Sequence, residues 1–227
     1  MTHPTFTCVI PAYNEAPRIG NVLGAVVGHP DVQQIIVIDD GSTDGTAAVA
    51  QNFDVTVLRT AGNLGKTGAL GFGLRGITTS HVLLLDADLT GLTPDDVSAL
   101  IAPVMIGKAI ASISLRGNSP WVWRAIGLDY ISGERALPYD MLVPHMSAFD
   151  TLPKFGFEVF LNRLLLGATH RIAVVKLPKV ASPSKAAKQG IWHGTKSDVL
   201  MMRDIFRTVS IREATSQISK LRHRRVR

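Results

Sequence analysis

The sequence predicts an α/β fold, a mainly parallel sheet with helices covering both faces. Three observations carry this expectation. Short β-branched apolar runs alternate with segments of helical spacing from residue 5 to residue 115. Clusters of carboxylates and turn residues follow those runs on the same side of each. The chain of 227 residues is 46% hydrophobic and 19% charged, enough for one full-sized core and too apolar for a disordered protein.

The runs 5–10, 34–38, 54–58, 81–85 and 110–115 have strand length and β-branched content. Between them, 17–27, 43–52, 65–76 and 94–106 carry apolar residues at helical spacing, flanked by turn formers. Alternation of this kind builds βαβ units, whose strands are parallel. The pattern then loosens into a segment with Trp121 and Trp123, an expected short helix at 132–137, a helix at 157–166 and a last strand at 172–177. A Pro/Ser/Lys-rich stretch, 178–189, leads to an amphipathic helix expected over 197–221. The expected organisation is a domain over 1–178, with halves 1–90 and 91–178, and an appendage over 179–227.

The net charge of +6 is unevenly placed. Residues 176–227 contain 13 Lys and Arg against three acids, a balance of +10, so the preceding body carries −4. A basic amphipathic helix of this kind suits an anionic membrane surface; packing its apolar stripe on the body is the alternative. Nucleic acid is the less favoured partner, because the body is acidic and no aromatic-rich motif accompanies the bases. The single cysteine, Cys8, excludes a disulfide scaffold and suits a reducing compartment. The best apolar stretch, 100–115, is broken by Pro103, Gly107 and Lys108, and the first residues lack the basic start and apolar core of a signal peptide. The expected location is cytoplasmic, at most peripheral on the inner face of a membrane.

Two motifs mislead. Gly65-Lys66-Thr67 ends like a phosphate-binding P-loop, but Thr60 stands where that motif needs its first glycine. Gly71-Phe72-Gly73-Leu74-Arg75-Gly76 fits G-x-G-x-x-G literally, yet lies inside an expected helix, where close helix–sheet packing is the better account of its glycines.

The chemistry-bearing residues fall at the carboxyl ends of the expected strands, where parallel sheets bind ligands. Leu83-Leu84-Leu85-Asp86-Ala87-Asp88 delivers two carboxylates spaced by two, which share a face of an extended segment and can converge on one ion. Mg²⁺ or Mn²⁺ takes one or two carboxylates together with substrate phosphates, so this pair supplies a protein's share. Asp39-Asp40-Gly41-Ser42-Thr43-Asp44 offers an acceptor for a base N–H or ribose hydroxyl, and Ser42, Thr43 or Asp44 a cap for the next helix. Thr93 before Pro94 has the form of a helix cap. Lys66 opens a helix, where backbone N–H groups and an ammonium together favour phosphate.

Ile10-Pro11-Ala12-Tyr13-Asn14-Glu15, Val37-Ile38-Asp39-Asp40-Gly41-Ser42-Thr43-Asp44, Asn63-Leu64-Gly65-Lys66-Thr67-Gly68-Ala69 and Asp86-Ala87-Asp88 occur in that order over about the first 90 residues. Together they resemble a family-2 glycosyltransferase of GT-A fold. The resemblance implies a nucleotide-sugar donor such as GDP-mannose or UDP-glucose. Pro11, Ala12, Tyr13, Glu15 and Asp40 would hold the nucleoside, with Lys66 nearby, and Asp86, Ala87 and Asp88 would meet the ribose and a metal-bound diphosphate. Ser114-Leu115-Arg116 and Ile131-Ser132-Gly133-Glu134-Arg135-Ala136-Leu137 resemble the acceptor region of polyprenyl-phosphate enzymes of the dolichol-phosphate mannose synthase type. That likeness implies acceptor-phosphate contacts from Arg116, Ser132 and Arg135, with Arg124 a further candidate; guanidinium forks suit an oriented phosphate. The reaction implied is inverting hexosyl transfer in which Asp88 is catalytic; Glu134, or Asp129, is the base where the acceptor is a hydroxyl.

Two departures qualify the resemblance. Thr90 stands where polyprenyl-phosphate enzymes often have a stronger metal ligand. Glu134 and Gly156-Phe157-Glu158 also resemble glucosyl-phosphoglycerate synthases, which use a soluble phosphorylated acceptor, retain anomeric configuration and complete the metal site with a late histidine. His193, in Ile191-Trp192-His193-Gly194, is the candidate for that third ligand beside Asp86 and Asp88.

Overall fold

A computed structural model describes residues 4–153, 156–167, 171–183 and 210–226. Its seven-stranded sheet has the order β3-β2-β1-β4-β6-β5-β7. The strands are β1 (Phe6–Ala12), β2 (Val32–Asp39), β3 (Thr56–Arg59), β4 (His81–Leu84), β5 (Ala111–Arg116), β6 (Arg135–Pro138) and β7 (Ile172–Leu177). The helices are α1 (Ala16–Val26), α2 (Thr46–Ala50), α3 (Gly65–Leu74), α4 (Pro94–Met105), α5 (Trp121–Ile126), α6 (Phe157–Gly167) and, from the C-terminal segment, α7 (Ile211–His223). All pairings are parallel except those of β6, which runs antiparallel to both β4 and β5.

Alternation along the central strands divides the core between the two faces. Val9, Ile36, Ile38, Val82 and Leu84 pack with Leu70 and Leu74 of α3 and with α6. Phe6, Cys8, Ile10, Val37 and Leu83 pack with Leu23 of α1 and Leu100 of α4. Cys8 is fully buried, and burial pushes its thiol pKa up, so it serves as a small apolar core residue. α4 opens with the expected Thr93: its hydroxyl accepts from Asp96 N–H while the Asp96 carboxylate accepts from Thr93 N–H.

The expected helix at 132–137 is instead an irregular segment running into β6. All four β6 residues are buried, and they fill the gap between β4 and β5 with ladder bonds on both sides. Tertiary pairing here overrides a local pattern with no alternation. The C-terminal helix is described from Ile211 onward, and the expected portion 197–209 lies outside the described residues. Ala214, Ile218 and Leu221 of α7 pack into the core beside α6, and Arg163 pairs with Glu213 at 2.7 Å. The apolar stripe of this part therefore faces the body, the alternative to a membrane surface, while the stripe residues at 199–209 lie outside the described residues. Among the described residues no helix is long and apolar enough to cross one.

The glycine-rich run lies inside α3 and continues beyond it, as expected of packing glycines. A Cβ at Gly73 would stand 2.5 and 2.6 Å from Ile38 side-chain carbons, and one at Gly71 would stand 2.8 Å from Phe149 Cβ. Gly73→Ala is accordingly expected to cost about 1–3 kcal/mol by overpacking, measured by urea denaturation; an unchanged midpoint would show that α3 lifts off the sheet without cost.

Candidate active site

Strand order reverses where β1 lies between β2 and β4, so a crevice opens at the carboxyl ends of β1 and β4. The loops after β1 and β2 are laced together at this edge. Asn14 adopts a left-handed φ of 57°, its N–H donates to Ser42 Oγ at 2.9 Å, and its Oδ1 accepts from Thr43 N–H at 2.9 Å. Asp44 accepts from the N–H groups of Ala16 and Thr46, each at 3.1 Å, and so serves the first N–H of α2, while Gly45, and none of the three expected candidates, holds the cap position itself. The loops leave the Tyr13 ring 46% exposed at the rim. Pro11 and Ala12 end β1, and Glu15 pairs with Arg18 at 2.8 Å at the start of α1.

Asp40 is buried, and both its oxygens are used: one accepts from Leu64 N–H and the other from Gly65 N–H, each at 2.8 Å. These are the N–H groups at the start of α3, so a carboxylate occupies the helix end that the sequence suggested for phosphate. Asp40 thereby anchors the loop that carries Lys66.

Lys66 leans away from solvent and bridges two carboxylates, Asp86 at 2.5 Å and Glu158 of α6 at 2.6 Å. Burial alone would lower its pKa; Asp86 and Glu158 outweigh that and hold it raised, so Lys66 is a fixed cation. Arg116, at the end of β5, approaches Asp86 from the other side at 3.9 Å, contacts Asp129 at 3.9 Å and binds Glu134 at 2.9 Å. Burial opposes ionisation of Asp86, but the charges of Lys66 and Arg116 hold its pKa down. Gly133 permits this convergence: a Cβ there would fall on Lys66 Nζ and 2.5 Å from Asp86 Oδ1.

Glu134 is fully buried and accepts from Ser114 and Ser132 hydroxyls as well as from Arg116. Asp129 is also fully buried and accepts from Ser119 Oγ at 2.6 Å. Both expected bases are thus enclosed by protein donors and lie against Arg116, so neither carboxylate stands open at the crevice as the catalytic role expected for Glu134 would need. Arg135 is 1% exposed; its guanidinium donates to the Ser132 and Tyr130 carbonyls and to Asn162 Oδ1. It braces the 130–135 loop from inside the core, and Ser132 is buried beside it, so neither faces an acceptor as expected. Arg124 stands exposed on α5, apart from Arg116 in these contacts, and His193 lies outside the described residues. Ala87 is buried between the two acids, and Asp88 Oδ2 accepts from Ser182 Oγ at 2.8 Å.

Glu158, Asn162, Asn118, Ser182 and Gly133 were not singled out as site residues from the sequence. Glu158 and Asn162 had a usable signal: they are polar, one turn apart, and lie within the stripe of Phe157, Leu161 and Leu165 that α6 buries. Nothing local marks Ser182, whose contact with Asp88 spans 94 positions.

Among the described residues, no three His, Cys, Asp or Glu side chains gather into a ready metal cage. Asp86 faces two cations, and Asp88 accepts from the Ser182 hydroxyl. This donor set fits a hard divalent cation that takes one or two protein carboxylates and completes its shell from phosphates and water.

A carboxylate pair just beyond a strand at the switch point of an open α/β sheet, with a laced rim of loops beside it, defines a protein of GT-A architecture. The chain belongs to glycosyl transferase family 2, whose model matches residues 7–153. A 4,4'-diaponeurosporenoate glycosyltransferase of Staphylococcus aureus (strain MRSA252) is 38% identical over 104 residues, 44% of this chain and 28% of that relative's length. Glucosyl-3-phosphoglycerate synthase from Mycobacterium tuberculosis has a similar fold. Its complex with Mn²⁺, uridine diphosphate and glucosyl-3-phosphoglycerate superposes with a TM-score of 0.72 at 24% identity, covering 95% of this chain and 80% of that one. Its phosphoglyceric acid complex gives 0.68, also at 24% identity, covering 89% and 80%.

The site has a pH signature. Burial, with Asp86 adding to it and Arg116 opposing, raises the Glu134 pKa above its ordinary 4.5. A raised folded-state pKa contributes stability that is complete below the unfolded value and is lost as pH rises through the folded value. The melting temperature of the wild type is therefore expected to fall relative to Glu134→Gln as pH is raised from 4.5; a gap independent of pH would show that Glu134 titrates normally.

Proposed function

We propose that the protein is a metal-dependent glycosyltransferase that moves a hexose from a nucleotide-sugar, GDP-mannose or UDP-glucose, to a polyprenyl phosphate with inversion. The observation carrying the donor half is the placement of Asp86 and Asp88 at the crevice, with Asp86 fixed by Lys66 and Arg116. Family membership supports the transfer chemistry. Asp88, with Asp86 beside it, would hold Mg²⁺ or Mn²⁺, which supplies charge neutralisation for a departing diphosphate. Tyr13 offers an exposed ring at the rim for a base, and Asp86 offers an acceptor for a ribose hydroxyl.

The acceptor half follows from what is buried. Glu134 and Asp129 are enclosed, so no described base on this side is open to a hydroxyl nucleophile. A phosphate acceptor is already anionic near neutral pH and needs positioning more than deprotonation. The buried Arg116 Nε–H has no hydrogen-bond partner among the described residues, and an acceptor oxygen would satisfy it. Just beyond, α5 presents Trp121 at 74% exposure and Val122 at 38%, an apolar surface suited to a hydrocarbon chain. Membrane association is accordingly proposed through α5.

A second reading, transfer to a small phosphorylated acid with retention, is supported by the likeness in fold to glucosyl-3-phosphoglycerate synthase. A panel of GDP-mannose, UDP-glucose and UDP-N-acetylglucosamine with Mn²⁺ or Mg²⁺, offered a polyprenyl phosphate or 3-phosphoglycerate, separates the two by product and anomeric configuration. Asp88→Asn is expected to lower transfer about 100- to 1000-fold, the scale of losing a preorganised electrostatic group. Transfer unchanged in that variant would overturn the metal assignment, and product from 3-phosphoglycerate alone would overturn the lipid acceptor.

A further inference from the structure

The chain leaving β7 passes directly over the Asp88 loop and is stitched to two other loops at once. Thr90 and Ala181 exchange backbone hydrogen bonds of 2.8 and 3.0 Å, and Thr90 Oγ1 also donates to the Ala181 carbonyl at 3.1 Å. On the β5 side, Gly117 N–H donates to the carbonyls of Leu177 and Val180. Asn118 clasps Ser182 through its main chain: Asn118 Nδ2 donates to the Ser182 carbonyl at 2.7 Å, and Ser182 N–H donates to Asn118 Oδ1 at 3.3 Å. Two glycines allow the close passage, since a Cβ at Gly91 or Gly117 would fall on the carbonyl oxygens of Lys179 and Pro178 respectively. The result of this stitching is that Ser182 Oγ donates to Asp88 Oδ2 at 2.8 Å.

We propose that residues 178–182 are a strap that positions the Asp88 carboxylate, with Ser182 as the positioning residue and Asn118 as its clasp. The proposal rests on the assignment of Asp88 to the metal–diphosphate site. A neutral hydroxyl suits this role, since it orients one carboxylate oxygen without adding the opposing charge that a lysine or arginine would bring. Partners of this kind fix the geometry of a ligating carboxylate, and losing them typically weakens metal binding about 10- to 100-fold. Asn118 lies two positions beyond Arg116, so the clasp also joins the acceptor side of the crevice to the donor side.

The test uses the full chain and two readouts. Mn²⁺ binding is followed by electron paramagnetic resonance of the free ion, with saturating UDP in one series and GDP in another. Ser182→Ala and Asn118→Ala are expected to weaken Mn²⁺ binding about tenfold, and Ser182→Thr, which keeps the hydroxyl, to restore it. In metal-free protein, amide exchange by mass spectrometry is expected to quicken at 88–91 and 178–182 in Asn118→Ala. Wild-type affinity in Ser182→Ala and Asn118→Ala, alongside loss in Asp88→Asn, would overturn the strap and leave the metal assignment standing. Full affinity in Asp88→Asn, or no Mn²⁺ retained by the wild type with either nucleotide, would overturn the metal assignment. In that case the exchange readout still judges the clasp, and unchanged protection in Asn118→Ala overturns it.

Discussion

The carboxylate of Asp86 is where the two halves of the molecule meet. Lys66 reaches it from α3, Arg116 from the end of β5, and the 130–135 loop passes so close that position 133 has no room for a side chain. Ionising a buried carboxylate is costly unless opposite charges accompany it. Two cations are therefore required there, and each brings a carboxylate of its own, Glu158 for Lys66 and Glu134 for Arg116. Serine hydroxyls close the network on Glu134 and Asp129, leaving Arg116 Nε–H without a hydrogen-bond partner among the described residues. Its position at the strand ends is set by the sheet, but its coherence is set by charge.

That coherence decides which residues face a ligand. Glu134, Asp129, Ser132 and Arg135 occupy the places a phosphate-binding cluster would need, yet all four are buried and engaged. They hold Arg116 and the 130–135 loop in place. The surface left for chemistry is narrower: the Asp88 carboxylate, the Tyr13 rim and the outer edge of Arg116. A site assembled this way works by preorganisation, with its charges fixed before any ligand arrives.

Much of the first half was legible because its signals are local. Strand length and β-branched content along β1, β2 and β4, helical spacing in α1 and α4, and capping residues such as Thr93 each depend on neighbours a few positions away. The carboxylate pair at 86 and 88 was legible from its local pattern after an apolar run, although the structure carries it on a turn beyond β4 and not on the extended chain expected. β6 reads as helix from sequence because Arg135, Ala136 and Leu137 are good helix formers, whereas its strand character comes from partners more than 20 positions away. The burial and protein partners of Asp40, Glu134 and Arg135 were not legible, for a different reason. Residue type identified them as polar and chemically able, but whether a polar group serves a ligand or a neighbour depends on burial, which one sequence does not display.

The basic C-terminal segment shows the same distinction between charge and its use. Its bases invite a reading as a surface for anions, and Arg212, Lys220 and Arg222 are exposed on α7. Yet Arg225 donates to the Gly127 carbonyl, which ends α5, and Arg224 donates to the Leu165 and Leu166 carbonyls near the end of α6, each at 3.2 Å. Cations at helix carboxyl ends satisfy carbonyls that lack partners within the helix. Gln217 of the same helix accepts from Tyr130 at 2.6 Å, so α7 also steadies the loop that Arg135 braces from within. Part of the positive charge is thus structural, tied to α5 and to α6, on a helix that also holds the 130–135 loop. Because α5 is capped by Arg225 at one end and displays Trp121 at the other, the tail governs how that apolar surface is presented.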